Sequence, residues 1–116
     1  MQGRQSVGVL ALLILGLASC SKNPEVAKRE YLASGNALLE QKKYPEAMIE
    51  YQNALRLDGR FAEARLKLAD AYVATENYRG ALGESVRAAD LLPNDPEAQV
   101  RAGSLLLLAR QYPEAR

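Results

Sequence analysis

The chain has no histidine and no tryptophan, and Cys20 is its single cysteine. Without histidine, the side chain that most often serves as a general base near pH 7 is missing. One thiol cannot close an internal disulfide, and cysteine and histidine together fall short of a zinc ligand set. No glycine-rich phosphate loop occurs. Paired carboxylates such as Glu46 and Glu50 stand one helical turn apart and read as solvated surface. Neither sign of charge dominates: 15 Lys plus Arg stand against 14 Asp plus Glu in 116 residues, a net charge of +1. Setting Arg4 aside with the leader described below leaves 14 against 14. A nucleic-acid footprint needs clustered basic residues, and a balanced surface gives no pull toward anionic lipid. These absences lead to the expectation of a non-enzyme, with no cofactor, metal, small-molecule substrate or nucleic acid.

What is present is a period. Tyr44-Pro45-Glu46-Ala47, Tyr78-Arg79-Gly80-Ala81 and Tyr112-Pro113-Glu114-Ala115 follow one another at steps of 34 residues. Ala54 and Ala88, Leu57 and Leu91, and the set Gly35, Ala69, Gly103 keep the same step. A fixed period of this length marks a helix-turn-helix repeat array. The proline at 45 and 113 sits where a helix begins, since its ring fixes φ and its missing N–H had no helical partner to lose. The glutamate after it lies in the first turn, where the helix dipole favours negative charge. The small residues let antiparallel helices approach closely, and the Tyr and Leu fill the space between them.

The period and these residues resemble a tetratricopeptide repeat (TPR) array. Repeat one reads as 28–61, with Tyr31, Gly35, Ala47, Tyr51, Ala54 and Leu57 at signature positions. Repeat two, 62–95, carries Leu68, Ala69, Tyr72, Ala81, Ala88 and Pro93; residues 96–116 supply Gly103, Leu106 and Ala115 of a truncated third. The resemblance implies an all-α solenoid of two complete repeats and part of a third. Three positions depart from the family pattern: Arg65 and Gln99 replace the bulky aromatic near the start of a repeat, and Gly59 replaces the closing proline of the first.

Residues 1–19 read as a leader. Arg4 gives a positive start, and Val7 to Leu17 is apolar but shorter than the ~20 residues that span a bilayer. Leu17-Ala18-Ser19-Cys20 resembles a bacterial lipobox, which implies cleavage before Cys20 and a diacylglycerol on its thiol. Two or three acyl chains, at ~0.8 kcal/mol per buried CH₂, anchor a protein stably. Residues 20–27 would then be a short tether and helix start. Ser21 is not the aspartate that retains enterobacterial lipoproteins in the inner membrane, so the resemblance favours the outer membrane, facing the periplasm.

The helix signals fall in order. Asn23-Pro24-Glu25 starts a helix expected to reach Lys42, and Pro45 starts one to Leu57, ended by Asp58-Gly59 with the glycine in a left-handed cap. Further helices are expected over 62–75 and 78–91. Gly80 and Gly83 soften the latter by up to ~1 kcal/mol each. Asp95-Pro96-Glu97 repeats the start signal, and the four leucines at 105–108 cover core and junction. Nothing resembling a polar capping helix follows, so the chain is expected to be the N-terminal piece of a longer protein.

In TPR arrays the first helix of each repeat lines a concave groove that takes peptide segments. Carried over by phase, the groove would hold Arg29, Leu32, Asn36, Leu39 and Glu40 from repeat one. Repeat two would add Glu63, Leu66, Asp70, Val73 and Ala74, and repeat three Glu97, Val100, Ser104, Leu107 and Leu108. Such a mixed apolar and acidic lining suits an extended or helical segment with aliphatic and some basic groups. The carboxylate clamp of chaperone-binding TPR domains is broken, with Asn36 in place but Leu32 and Glu97 where lysines would stand. The resemblance therefore implies a lipid-anchored scaffold holding protein partners in a bacterial envelope assembly, of the kind found in exopolysaccharide export and protein sorting, pilus or outer-membrane biogenesis. Two rivals remain: a recruitment arm for an enzymatic or sensor domain beyond residue 116, and a structural spacer. Cells fed labelled fatty acid should label the wild-type chain and not Cys20→Ala; equal label in both would exclude lipidation at this thiol.

Overall fold

Asn23, Asn77 and Asp95 each turn a side-chain oxygen onto an otherwise unpaired N–H of a helix start, and so fix three of the helix entries. In a computed structural model, which describes residues 22–113, the acceptances are from Glu25 N–H at 2.9 Å, Gly80 N–H at 2.9 Å and Glu97 N–H at 3.0 Å. Five helices and no strand make up the described residues: α1 (Pro24–Glu40), α2 (Tyr44–Leu57), α3 (Ala62–Ala74), α4 (Tyr78–Leu91) and α5 (Pro96–Gln111). None of them is long and apolar enough to cross a membrane. The expected leader, the lipobox-like residues Leu17, Ala18, Ser19 and Cys20, and the tail Glu114-Ala115-Arg116 lie outside the described residues.

Packing follows chain order. α1 lies against α2 and α3 against α4 within a repeat, while α2 against α3 and α4 against α5 join one repeat to the next. α1 also touches α3. This is the helix-on-helix stacking of an all-α solenoid.

The α1–α2 turn and the α3–α4 turn share one geometry. Lys42 and Glu76, 34 positions apart, both take positive φ, at 59° and 61°. Behind each, the next residue's N–H reaches back five residues: Lys43 to the Leu38 carbonyl at 2.9 Å, and Asn77 to the Tyr72 carbonyl at 2.8 Å. That is a Schellman closure, and it explains why α1 stops at Glu40, before the expected Lys42. The left-handed glycine expected at Gly59 is not found, because no glycine among the described residues has positive φ. Asp58, extended at φ −146°, ends α2 instead. Its carboxylate accepts from Arg60 N–H at 3.0 Å and its carbonyl from Phe61 N–H at 3.1 Å, so the turn closes without a left-handed residue.

The core is unevenly furnished. Leu32, Ala47, Tyr51, Ala54, Phe61, Ala64 and Leu68 form one buried cluster, with Tyr31, Leu38, Leu39, Met48, Leu55 and Tyr72 packed around it. Beyond Leu68 every buried apolar residue described is an alanine: 69, 71, 81, 88, 89, 98, 102 and 109. A buried Leu, Phe or similar side chain contributes about 1.5–3 kcal/mol, far more than a methyl group, so the α1–α3 end holds most of the burial energy. The leucine run divides: Leu105 and Leu108 are half-buried on α5, while Leu106 and Leu107 are exposed.

Gly35 and Gly83 test this packing in opposite directions. A Cβ on Gly35 would lie 2.5 Å from Cε1 of Tyr51, whose ring is itself fully buried and cannot swing away. On Gly83 it would meet only the end of Arg87, at 3.9 Å. Chemical denaturation should find Gly35→Ala destabilised by about 1–3 kcal/mol, and Gly83→Ala stabilised by up to ~1 kcal/mol. A neutral Gly35→Ala would mean that Tyr51 does not sit on α1.

Candidate peptide-binding groove

The residues assigned to the groove by phase separate into three groups. Glu40, Glu63, Val73, Ala74, Glu97, Val100, Ser104 and Leu107 are exposed along the first helices of the repeats, with Val100 at 67% and Leu107 at 62%. Arg29 is exposed too, its guanidinium 5.7 Å from the ring centroid of Phe61. Leu39, Leu66 and Leu108 are half-buried. Leu32 is a correction: it is 7% exposed and belongs to the core cluster with Tyr51 and Leu68. The reason is position, since α3 packs back on α1 and covers that phase.

Asn36 is half-buried and already engaged. The Tyr51 hydroxyl donates to its Oδ1 at 2.9 Å, which ties α2 to α1 from inside the repeat. Burial, and then the Asp70 charge, push the Tyr51 phenol up to about 12.

Arg101, on α5, is the residue that phase assignment missed. Its guanidinium donates to Asp70 Oδ1 across the repeat junction, to the Leu66 carbonyl at 3.5 Å and to Glu97 Oε1 at 3.3 Å. The lining is thereby less acidic than its carboxylates suggested, because Asp70 and Glu97 share one cation. Glu97 and Arg101 stand at i and i+4, a pairing legible in sequence; the reach to Asp70, 31 positions away, depends on how the repeats stack.

Asp70, Val73, Ser104 and Arg101 converge on a pocket of about 190 Å³, completed by Ala69, Ser85 and Leu105. Ser85 lies 34 positions after Tyr51, so the second repeat has a hydroxymethyl group where the first has a phenol ring. The Ser85 side chain is fully buried, and its Oγ has no hydrogen-bond partner among the described residues. The substitution could have been found by comparing the two repeats at this phase.

The departures Arg65 and Gln99 take another role in the structure. Each sits at the start of a repeat and bonds backward to backbone of the preceding one. Gln99 Nε2 donates to the carbonyls of Ala89 at 2.8 Å and Leu92 at 3.1 Å, at the end of α4. Arg65 donates to the Gly59 carbonyl at 2.7 Å and to Glu84 Oε2 at 2.7 Å. Carbonyls at a helix end lack intrahelical partners, so these polar residues link successive repeats where an aromatic would have done so by contact. Lys28 makes a comparable tie at the other end of the array. Its Nζ, on a buried residue, donates to Asp58 Oδ2 at 2.6 Å, lies 3.0 Å from Glu25 Oε2 and sits 4.9 Å from the Phe61 ring centroid. The Asp58 bond, then Glu25, raises the lysine above its ordinary value; the Lys28 bond, then the Arg60 N–H, lowers the aspartate.

Comparison with known families places this geometry. Residues 35–76, from the middle of α1 to the left-handed Glu76, match the family model described as a TPR repeat. A comparison with curated proteins finds no match to the chain.

The raised Tyr51 value makes a pH prediction. The phenol keeps its proton longer in the folded chain, so its contribution to stability is complete below the ordinary tyrosine value near 10 and is lost as pH rises through about 12. Spectrophotometric titration of the folded protein should show a phenolate step near 12 that Tyr51→Phe removes. A wild-type titration with no such late step would contradict the buried position of the ring.

Proposed function

We propose that this chain, a member of the TPR family through the match over residues 35–76 and the repeat geometry around it, is a scaffold that holds a protein segment along the first helices of its repeats. TPR repeats generally mediate protein–protein interaction, and a protein-binding role follows for this chain from the family alone. Which surface binds is our inference. The observation that carries it is the exposure of apolar side chains on successive first helices, Val73 on α3 with Val100 and Leu107 on α5, next to the half-buried Asp70–Arg101 pair. Aliphatic groups left in water beside a polar anchor suit an extended or helical peptide that supplies its own aliphatic face.

The finer reading is a lipid-anchored protein of the bacterial envelope. It rests on Leu17-Ala18-Ser19-Cys20 and on the short stretch between Cys20 and α1. With α1 beginning at Pro24, lipid on Cys20 would hold the repeats close to the membrane, with the outer membrane favoured by Ser21. The assembly served would be one of export, sorting, pilus or outer-membrane biogenesis, where a membrane-bound scaffold gathers soluble partners.

The test is site-directed crosslinking in cells. A photoreactive amino acid at Val73 or Val100 should give discrete adducts with a protein partner, while the same group at Ile49, exposed on the second helix α2, should give none. Adducts confined to Ile49 would move the binding surface to the second helices and overturn this reading.

A further inference from the structure

The two repeats differ most where they should be most alike. In the first, the Tyr51 ring fills the space between α1, α2 and α3, so close to α1 that only glycine fits at 35. Its hydroxyl ends on Asn36 Oδ1 at 2.9 Å. One period on, Gly35 becomes Ala69, Asn36 becomes Asp70 and Tyr51 becomes Ser85. The ring is gone, the acceptor at the end of its hydroxyl is kept, and all three substituted residues line the pocket of about 190 Å³. A cavity of about 150 Å³ is enough to admit a benzene ring. The fully buried Ser85 Oγ, without a partner, leaves one more polar group at this place unused.

From this we infer that the pocket at the junction of repeats two and three is a socket for a tyrosine side chain of the protein partner, which enters where the repeat's own aromatic has been deleted. The inference rests on the groove reading, because Asp70, Val73 and Ser104 belong both to that surface and to the pocket. The incoming phenol donates its hydroxyl proton to a carboxylate oxygen of Asp70, as Tyr51 does to Asn36. The Arg101 guanidinium, held by Asp70, Glu97 and the Leu66 carbonyl, stands at the pocket as a planar cation that can pack on the ring. Aromatic anchors seated in pockets carry much of the energy of protein interfaces, and tyrosine brings large area at little rotamer cost. An aliphatic side chain would leave the acceptor at Asp70 without a donor from the ligand, so the socket distinguishes tyrosine from leucine and, more finely, from phenylalanine.

The experiment is an NMR titration of the full chain with N-acetyl-tyrosinamide, N-acetyl-phenylalaninamide and N-acetyl-leucinamide. Saturable shifts at the amides of Ala69, Ser85 and Ser104 are expected with the tyrosine probe, several-fold weaker binding with phenylalanine, and none with leucine. Ser85→Tyr combined with Ala69→Gly rebuilds the first repeat's arrangement in the second and should abolish the response. Should that double variant fail to fold, Asp70→Ala, at a half-exposed side chain, should weaken the tyrosine probe at least three-fold more than the phenylalanine probe, which loses only the anchored Arg101. No saturable shift in the wild type, or equal loss for both probes in Asp70→Ala, overturns the socket. So does unaltered binding in the filled double variant. A partner that still crosslinks at Val73 when the pocket is filled would also overturn the socket while leaving the groove in place.

Discussion

The seating of Tyr51 on Gly35 is the contact on which the rest of the array depends. It brings α2 against α1 closely enough that any Cβ at 35 would collide with the ring, and it places the phenol where Asn36 can accept its proton. Phe61, Ala64 and Leu68 then close over the same cluster from the α2–α3 connection and α3. Lys28 ties the start of α1 to Asp58 at the far end of α2, so the first repeat is held by packing in its middle and by an ion pair at its edge. The charge shifts on that pair have opposite limits. Asp58's contribution is lost as pH falls through its lowered value, and Lys28's as pH rises through its raised one. Between those limits the edge is fastened.

The second half of the chain lacks such a centre. Its buried apolar residues are alanines, its counterpart of Tyr51 is Ser85, and its linkage to neighbours runs through Arg65, Gln99 and Arg101 reaching for carbonyls and carboxylates. Neutral hydrogen bonds such as those of Gln99 each contribute about 0.5–1.5 kcal/mol net, and those with a charged partner about 1.5–3 kcal/mol when shielded from water; both hold direction better than they fill volume. The result is a junction positioned by polar contacts around a space that its own side chains leave open. A firm repeat beside an unfilled one is a workable division for a binding module: one part fixes the geometry and the other takes the guest.

Much of this was legible in the sequence because a repeat imposes its period on every element. The 34-residue step gave the number of helices, their order and the small residues at their crossings, and the Asn-Pro-Glu and Asp-Pro-Glu signals gave two helix starts to the residue. The turn conformations were not legible. Lysine and glutamate carry no mark of positive φ, so Lys42 and Glu76 were invisible, while Gly59 drew a left-handed assignment that a hydrogen-bonded Asp58 made unnecessary. Assignment by phase named mostly exposed residues on α3 and α5 and failed at Leu32, which is buried, because phase says which way a side chain points and not which helix lies over it. Arg101 was missed for a related reason: its partner sits 31 positions away, and only the stacking of α5 on the second repeat brings the two together. The leader expected over residues 1–19 and the cysteine after it rest on a separate kind of signal, chemical rather than geometric, and they lie outside the described residues.

Native-state hydrogen exchange of the full chain tests the central claim, that one repeat is filled and the next left open to receive a side chain. The account predicts that amides of α2 around Tyr51 are protected well beyond those of α4 around Ser85, and that N-acetyl-tyrosinamide slows exchange in α4 and α5 while leaving α2 unchanged. Equal protection in the two helices without the probe would contradict it, as would a probe that slows exchange in α2 instead.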